Sequence, residues 1–155
     1  ATSSKEPVNT ETKKLSPNYE ITLDNTTFKG TNDDSPYTIT AQRAIKCDND
    51  IYTLEDLSAI YFIQDNPCNI ISDQGEFHQT KNMIYLNGNI KATLQDYILN
   101  TDSLELNLTT KEIIGKNKIK IDYKDSEIKA NQFRIKNNNI IRFEGNVKTK
   151  FNFQK

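Results

Sequence analysis

Two similar stretches of alternating apolar and polar residues restrict the possible folds most strongly. Residues 83–94 read MIYLNGNIKATL, and a near copy, IIRFEGNVKTKF, follows at residues 140–151. Side chains alternate between the two faces of a β-strand, so each stretch is predicted to be a strand with one buried face. Gly88 and Gly145 both fall on the apolar parity. A glycine there marks a bend, a bulge or a place where space is needed.

The rest of the chain shows the same period. Turn signals recur at intervals typical of all-β proteins, and they separate alternating segments at residues 20–28, 37–46, 51–63, 69–77, 97–108, 118–123 and 127–135. Residues 52–63 could also form a short helix capped by Thr53, although their β-branched and aromatic second half favours a strand. The connections are too short for crossover helices, so we expect an antiparallel sheet. The pattern predicts a jelly roll, a sandwich or an elongated open barrel.

Composition divides the chain into two parts. Residues 1–18 contain only Val8 and Leu15 as large apolar residues, so we expect a flexible linker there and a single folded domain at residues 19–155. The 20 basic and 21 acidic residues nearly cancel. No basic block is present that would grip a nucleic acid backbone.

Residues suited to catalysis or metal binding are scarce. His78 is the only histidine, and no serine or cysteine motif accompanies it. Cys47, Cys68 and His78 lack the spacing of a metal site, so we predict no catalytic residue, no metal and no cofactor. Cys47 and Cys68 flank one long strand, which in a simple meander holds them too far apart for a disulfide. We therefore expect free thiols.

A series of short motifs resembles a known family. The chain is similar to the periplasmic domain of the lipopolysaccharide-export family LptC, of the alphaproteobacterial type, within the OstA-like superfamily. The matching motifs occur in the family's order: SPYTITA at 35–41 followed by Ala44, YTLEDL at 52–57, SDQG at 72–75, LNGNI at 86–90, DYILNT at 96–101 with Leu104, IIG at 113–115, IKI at 119–121 and FEGNV at 143–147.

The resemblance implies a β-jellyroll that is elongated and open, and that is not an enzyme. It implies a periplasmic domain anchored to the inner membrane by a span that precedes the linker. Such a domain binds the acyl part of lipopolysaccharide, receives it from an inner-membrane ABC-type extraction complex and relays it to the periplasmic bridge protein LptA. Two alternatives stay open. The chain could be the sibling bridge protein LptA, or a lipid-free structural adaptor that works by pairing strand edges.

The resemblance and the alternation together suggest two sets of site residues. The residues expected to face inward and touch lipid are Ile39, Ala41, Leu57, Leu86, Ile90, Leu104, Leu106, Ile119, Ile121, Phe143 and Val147. The family implies that the C-terminal edge meets the bridge protein, and the residues expected there are Gly145, Val147, Thr149 and Phe151. Periodicity alone does not separate a lipid groove from an ordinary packed core, because both place apolar residues inside.

Overall fold

One antiparallel sheet makes up the whole described structure. The computed structural model describes residues 20–32, 35–48, 50–136 and 140–151, so the predicted linker at residues 1–18 lies outside the described residues. The described part contains 12 strands and no helix. The strands are β1 (Ile21–Asn32), β2 (Ser35–Asp48), β3 (Ile51–Ile63), β4 (Asn66–His78), β5 (Met83–Leu94), β6 (Tyr97–Asn107), β7 (Ile113–Gly115), β8 (Ile119–Tyr123), β9 (Ser126–Ala130), β10 (Gln132–Ile135), β11 (Ile141–Glu144) and β12 (Lys148–Phe151).

The first six strands form a meander in which each strand pairs with the next. Beyond β6 the sheet divides. One branch continues from β6 through β7 and β10 to β11, and the other continues through β8 and β9 to β12. The all-β prediction is confirmed. The segment at residues 51–63 is a strand, as its β-branched and aromatic residues favour.

A line of irregular pairing crosses the long strands and divides the sheet into two halves. Half-sheet A contains residues 21–24, 43–48, 51–55, 74–78, 83–87 and 103–107 with β7, β10 and β11. Half-sheet B contains residues 26–32, 35–41, 57–63, 66–71, 90–94 and 97–101 with β8, β9 and β12. We call the boundary between them the bend line.

The residue types on the bend line explain why the strands depart from regular geometry there. Asn25, Asp56 and Asn89 have φ values of 51°, 49° and 47°, and Gly88 has φ of 93°. Glycine adopts this left-handed region freely, and Asn and Asp tolerate it better than other residues. Gly88 and Asn89 also insert one extra residue into β5, since the register shifts between Asn87 and Ile90. Such a bulge bends a strand and increases its twist.

The two halves fold over so that their apolar faces meet. The ring centroids of Phe28, in half-sheet B, and Tyr52, in half-sheet A, are 4.8 Å apart. In the register, Phe28 lies opposite Ile39, and Ile39 lies opposite Ala59, seven residues along β3 from Tyr52. If β3 were straight, Ala59 and Tyr52 would lie roughly 23 Å apart along it. Phe28 is level with Ala59 but contacts Tyr52, so the sheet must be strongly bent. The result is the elongated open β-jellyroll that the family resemblance implied.

The second Gly-Asn copy differs from its prediction. Residues 140–151 were expected to form one strand with Gly145 on its buried face, but Gly145 is exposed and lies between β11 and β12. Gly145 and Asn146 have φ values of 78° and 47°. In β5 the same dipeptide is held by neighbours on both sides, whereas here a neighbour pairs on one side alone. The strand therefore breaks where β5 only bulges. Residues 127–135, also expected as one strand, divide into β9 and β10 at Asn131.

Candidate functional site: an apolar slot with an open end

The inner faces of the two half-sheets enclose a space that we call the slot. The structure places most of the side chains predicted to face lipid along it. Phe143 is half-buried and packs against the same core. Buried in the slot are Ile39, Ala41, Leu57, Leu86, Ile90, Leu104, Leu106, Ile119 and Ile121. The alternation of apolar and polar residues therefore identified buried side chains in both half-sheets.

Val147 is the exception among the predicted inward residues. Its side chain is 47% exposed and follows the Gly145–Asn146 break, just before β12. The parity argument places it on the inner face, but no part of half-sheet A covers it there. A buried position for Val147 is therefore wrong, and the residue belongs to the open end of the slot.

The middle of the slot is closed in this structure. It contains an internal cavity of about 20 Å³, which has room for roughly one water molecule. Residues from both halves surround this cavity: Cys68, Ala92, Leu94, Tyr97, Leu99 and Ile121 from half-sheet B, and Leu104, Ile113, Phe133, Ile135 and Ile141 from half-sheet A. An acyl chain does not fit unless the half-sheets move apart.

Contacts of two side chains, Phe28 and Lys111, join the half-sheets. Phe28 packs against Tyr52 and also against Phe77, with ring centroids 5.3 Å apart in the second pair. Lys111, in the connection from β6 to β7, donates a hydrogen bond from Nζ to the Ser35 hydroxyl at the start of β2. The sequence pattern did not reveal either contact, because both join residues that are distant along the chain.

Polar groups inside the slot are few. Ser72 and Thr101 are the buried polar side chains of the described residues, and both lie beside the bend line. The single Ser72 hydroxyl hydrogen is shared between the carbonyls of Gln74 (2.8 Å) and Asn87 (3.2 Å), and the Thr101 hydroxyl donates to the carbonyl of Lys118 (3.0 Å). These hydroxyls satisfy carbonyls near which the regular ladder is interrupted.

Tyr61 and Cys68 introduce further polar atoms into the slot. They lie opposite each other on β3 and β4. Burial raises the pKa of the Cys68 thiol to about 12. Burial also raises the pKa of Tyr61 well above its ordinary value, with a smaller contribution from Cys68. Both groups are therefore neutral at physiological pH. Cys68 and the exposed Cys47 are free thiols, as expected.

The C-terminal end of the slot is open. Phe143 and Ile141 on β11 are half-buried, Thr149 on β12 is exposed, and Phe151 is 59% exposed. No described strand pairs with the outer edges of β11 and β12. Apolar inner-face side chains thus lie next to free backbone donors and acceptors, which is the arrangement an added strand can use.

The outer face near this end carries a row of lysines. Lys120, Lys129 and Lys148 lie directly opposite one another on β8, β9 and β12. Lys120 forms ion pairs with Glu127 (3.3 Å) and Asp122 (3.8 Å). We call these three residues the lysine row. The sequence analysis missed it because the three strands are brought into register only by the fold.

The described residues offer little that would support catalysis. No three His, Cys, Asp or Glu side chains in the described ranges lie close enough to hold a metal ion. The His78 ring lies 2.6 Å from Glu76 Oε1 and packs edge-on against Tyr85. Among the described residues no helix has the length and apolar character needed to cross a membrane.

The bent sheet, the apolar slot and the free strand edges together define an open β-jellyroll protein. A family model described as "Lipopolysaccharide-assembly, LptC-related" matches residues 1–152. An uncharacterized protein of Rickettsia prowazekii (strain Madrid E) is 36% identical over 134 residues, which cover 84% of this chain and 67% of that protein. The chain belongs to the LptC family. Membership implies a role in lipopolysaccharide transport and a periplasmic location.

Proposed function

We propose that this domain binds the acyl part of lipopolysaccharide in the slot and relays it through the periplasm, without catalysing a reaction. In this proposal it receives the lipid from an inner-membrane ABC-type extraction complex and passes it to the bridge protein LptA. The domain is held at the inner membrane by an N-terminal span through the linker at residues 1–18.

The observation that carries this proposal is the shape of the apolar interior. The slot is lined from both half-sheets by aliphatic side chains, and its apolar face continues to exposed Val147 and Phe151 at the C-terminal end. Burial of apolar surface favours acyl chains in such a slot. A charged head group would remain in water, because the described interior carries no ionised group to receive it.

Lipid entry requires the slot to widen. The bend line supplies a structural basis, because its register shifts reduce the ladder hydrogen bonds that would stiffen the long strands. The Phe28–Tyr52–Phe77 contacts and the Lys111–Ser35 hydrogen bond must then separate. These are side-chain contacts, so their separation leaves the strand pairing intact, although it exposes part of the Phe77 ring, which is 1% exposed in this structure.

Partner docking is proposed at the C-terminal edge. Backbone groups of β11 and β12 would pair with an edge strand of LptA, while Val147, Thr149 and Phe151 would continue the apolar surface into the partner. Gly145 would set the angle between the two short strands. The lipid would then pass along one continuous slot.

Photo-crosslinking tests the lipid proposal directly. A photoreactive residue at Leu86, Leu104 or Phe143 should capture lipopolysaccharide, because these positions face the slot. The same residue at Lys91 or Lys148 on the outer face should not. Equal capture at inner and outer positions would contradict the proposed slot.

The small cavity favours a second candidate, a structural adaptor that carries no lipid. A cavity of about 20 Å³ is what a permanently packed core would show. In that case inner and outer crosslinkers would both fail to capture lipid, while the C-terminal edge would still bind its partner.

A further inference from the structure

Tyr61 has a feature that an ordinary core residue lacks. Its side chain is 3% exposed, and its hydroxyl is the one buried side-chain polar atom of the described residues that has no hydrogen-bond partner. A buried donor without a partner costs free energy, whereas phenylalanine would fill the same space without that cost. The hydroxyl therefore lowers the stability of the folded protein relative to phenylalanine, so stability does not explain why a tyrosine stands at this position.

The surroundings of Tyr61 place this hydroxyl in the slot. Ala59, Tyr61 and Ile63 alternate along the inner face of β3, and all three are buried. Cys68 lies directly opposite Tyr61 and lines the internal cavity. Tyr61 is therefore one side chain away from the space that would widen to admit an acyl chain.

No group of the described residues is placed to satisfy this donor. The Ser72 and Thr101 hydroxyls donate to backbone carbonyls at the bend line, and neither accepts a hydrogen bond from Tyr61. Cys68 forms no hydrogen bond with Tyr61 in this structure. A molecule that enters the slot could supply the missing acceptor.

We infer that the Tyr61 hydroxyl donates a hydrogen bond to a carbonyl oxygen of the acyl linkage when an amphiphile occupies the slot. This inference rests on the proposed lipid binding and adds a specificity. The slot would favour chains attached through an amide or ester over plain alkyl chains, because an alkyl chain leaves the donor unsatisfied.

Two nonionic detergents with ten-carbon chains provide the test. Decanoyl-N-methylglucamide carries an amide carbonyl, and decyl glucoside carries none. Binding of each, below its micelle concentration, is measured by calorimetry to the wild-type protein, to Tyr61→Phe and to the control Tyr85→Phe. Tyr85 lies on the outer face, so the control removes a tyrosine hydroxyl outside the slot.

The inference expects Tyr61→Phe to bind the glucamide about three- to tenfold more weakly than wild type, the range of one neutral hydrogen bond. Its affinity for the glucoside should not change, and neither affinity should change in Tyr85→Phe. The urea midpoint of Tyr61→Phe should equal or exceed that of wild type, since an unsatisfied donor has been removed.

Three results would overturn the inference. The first is unchanged glucamide affinity in Tyr61→Phe while the wild type binds both detergents, which leaves lipid binding intact. The second is a clearly lower urea midpoint, which would show that the hydroxyl already has a partner, such as an internal water. The third is failure of the wild type to bind either detergent or lipopolysaccharide, which would overturn the proposed function as well.

Discussion

Gly145 combines a conformational requirement with a position at the proposed docking edge. Its φ is +78°, and a Cβ there would lie 3.0 Å from Asn131 Cβ. The backbone N–H of Asn131 also donates to the Gly145 carbonyl at 2.8 Å, which ties this turn to the junction of β9 and β10. A bulky side chain must therefore strain the backbone and push against Asn131.

We predict that Gly145→Arg lowers the free energy of unfolding by about 1–2 kcal/mol, the cost of a left-handed conformation for an ordinary residue. The domain should stay soluble and β-rich, since the change lies at an edge, but its complex with LptA should weaken. A pull-down and circular dichroism on the same preparation measure the two effects. Gly145→Asn is the matched control because asparagine tolerates this conformation. Unchanged binding in Gly145→Arg would remove this edge from the interface, and loss of fold would make the glycine purely structural.

The raised pKa of Cys68 leads us to expect a lower free energy of unfolding at alkaline pH. Its pKa rises from an ordinary value of 9.0 to about 12 in the folded protein. Below pH 9 the thiol is protonated in both states and has no effect on the free energy of unfolding. Above pH 9 it ionises mainly in the unfolded chain, which favours unfolding by about 1.4 kcal/mol at pH 10.

Urea titrations between pH 8 and pH 10 would check this expectation, since both values bracket the ordinary pKa of 9.0. Cys68→Ala should lose less stability over that interval than wild type. Parallel curves for the two proteins would show that the thiol ionises without unfolding.

At the scale of single elements, the lysine row sets β8, β9 and β12 against one another. Adjacent strands lie about 4.8 Å apart, and like charges directly opposite each other destabilise a sheet. Lys129 stands between Lys120 and Lys148. We predict that Lys129→Glu raises the free energy of unfolding by about 0.2–1 kcal/mol.

Salt and a matched variant separate this effect from others. The gain in Lys129→Glu should shrink in 1 M salt, where the screening length falls to about 3 Å. Lys91→Glu is the control, because Lys91 lies opposite Ile71 and Asn100 and not opposite another lysine. An equal gain in both variants would show that net charge, not the row, is responsible.

At the scale of the whole molecule, the proposed lipid binding would require separation of the half-sheets, whereas the proposed partner docking would not. Ser35 belongs to half-sheet B, and Lys111 lies in the connection from β6 to β7 at the end of half-sheet A. The two side chains form a hydrogen bond. We predict that Ser35→Cys and Lys111→Cys, joined by a short bismaleimide in a Cys47→Ser background, prevent lipopolysaccharide capture and leave the LptA complex unchanged. The same variant without the crosslinker should bind both. Full lipid capture by the locked protein would place the lipid outside the slot.

The sequence by itself determined the long central strands and the side of each that faces inward. Alternation located β5 at its observed bounds, and it identified Leu86 and Leu104 as facing the same side before their register was known. This works because the two-residue period of a strand is a local property of the backbone. The Gly-Asn copies were visible for the same reason, since left-handed residues are local too.

Tertiary structure decided what each inner face meets. Val147 and Ile90 occupy equivalent parity after a Gly-Asn pair, yet Ile90 is 1% exposed and Val147 is 47% exposed. Whether an inner face is covered depends on the half-sheet that lies opposite it. The residues of β12, at the edge of the sheet, are all exposed and lack such a cover. The closed slot, the unpartnered Tyr61 hydroxyl and the lysine row arise in the same way. Each depends on contacts between residues far apart in the chain, which the alternation of a single strand does not encode.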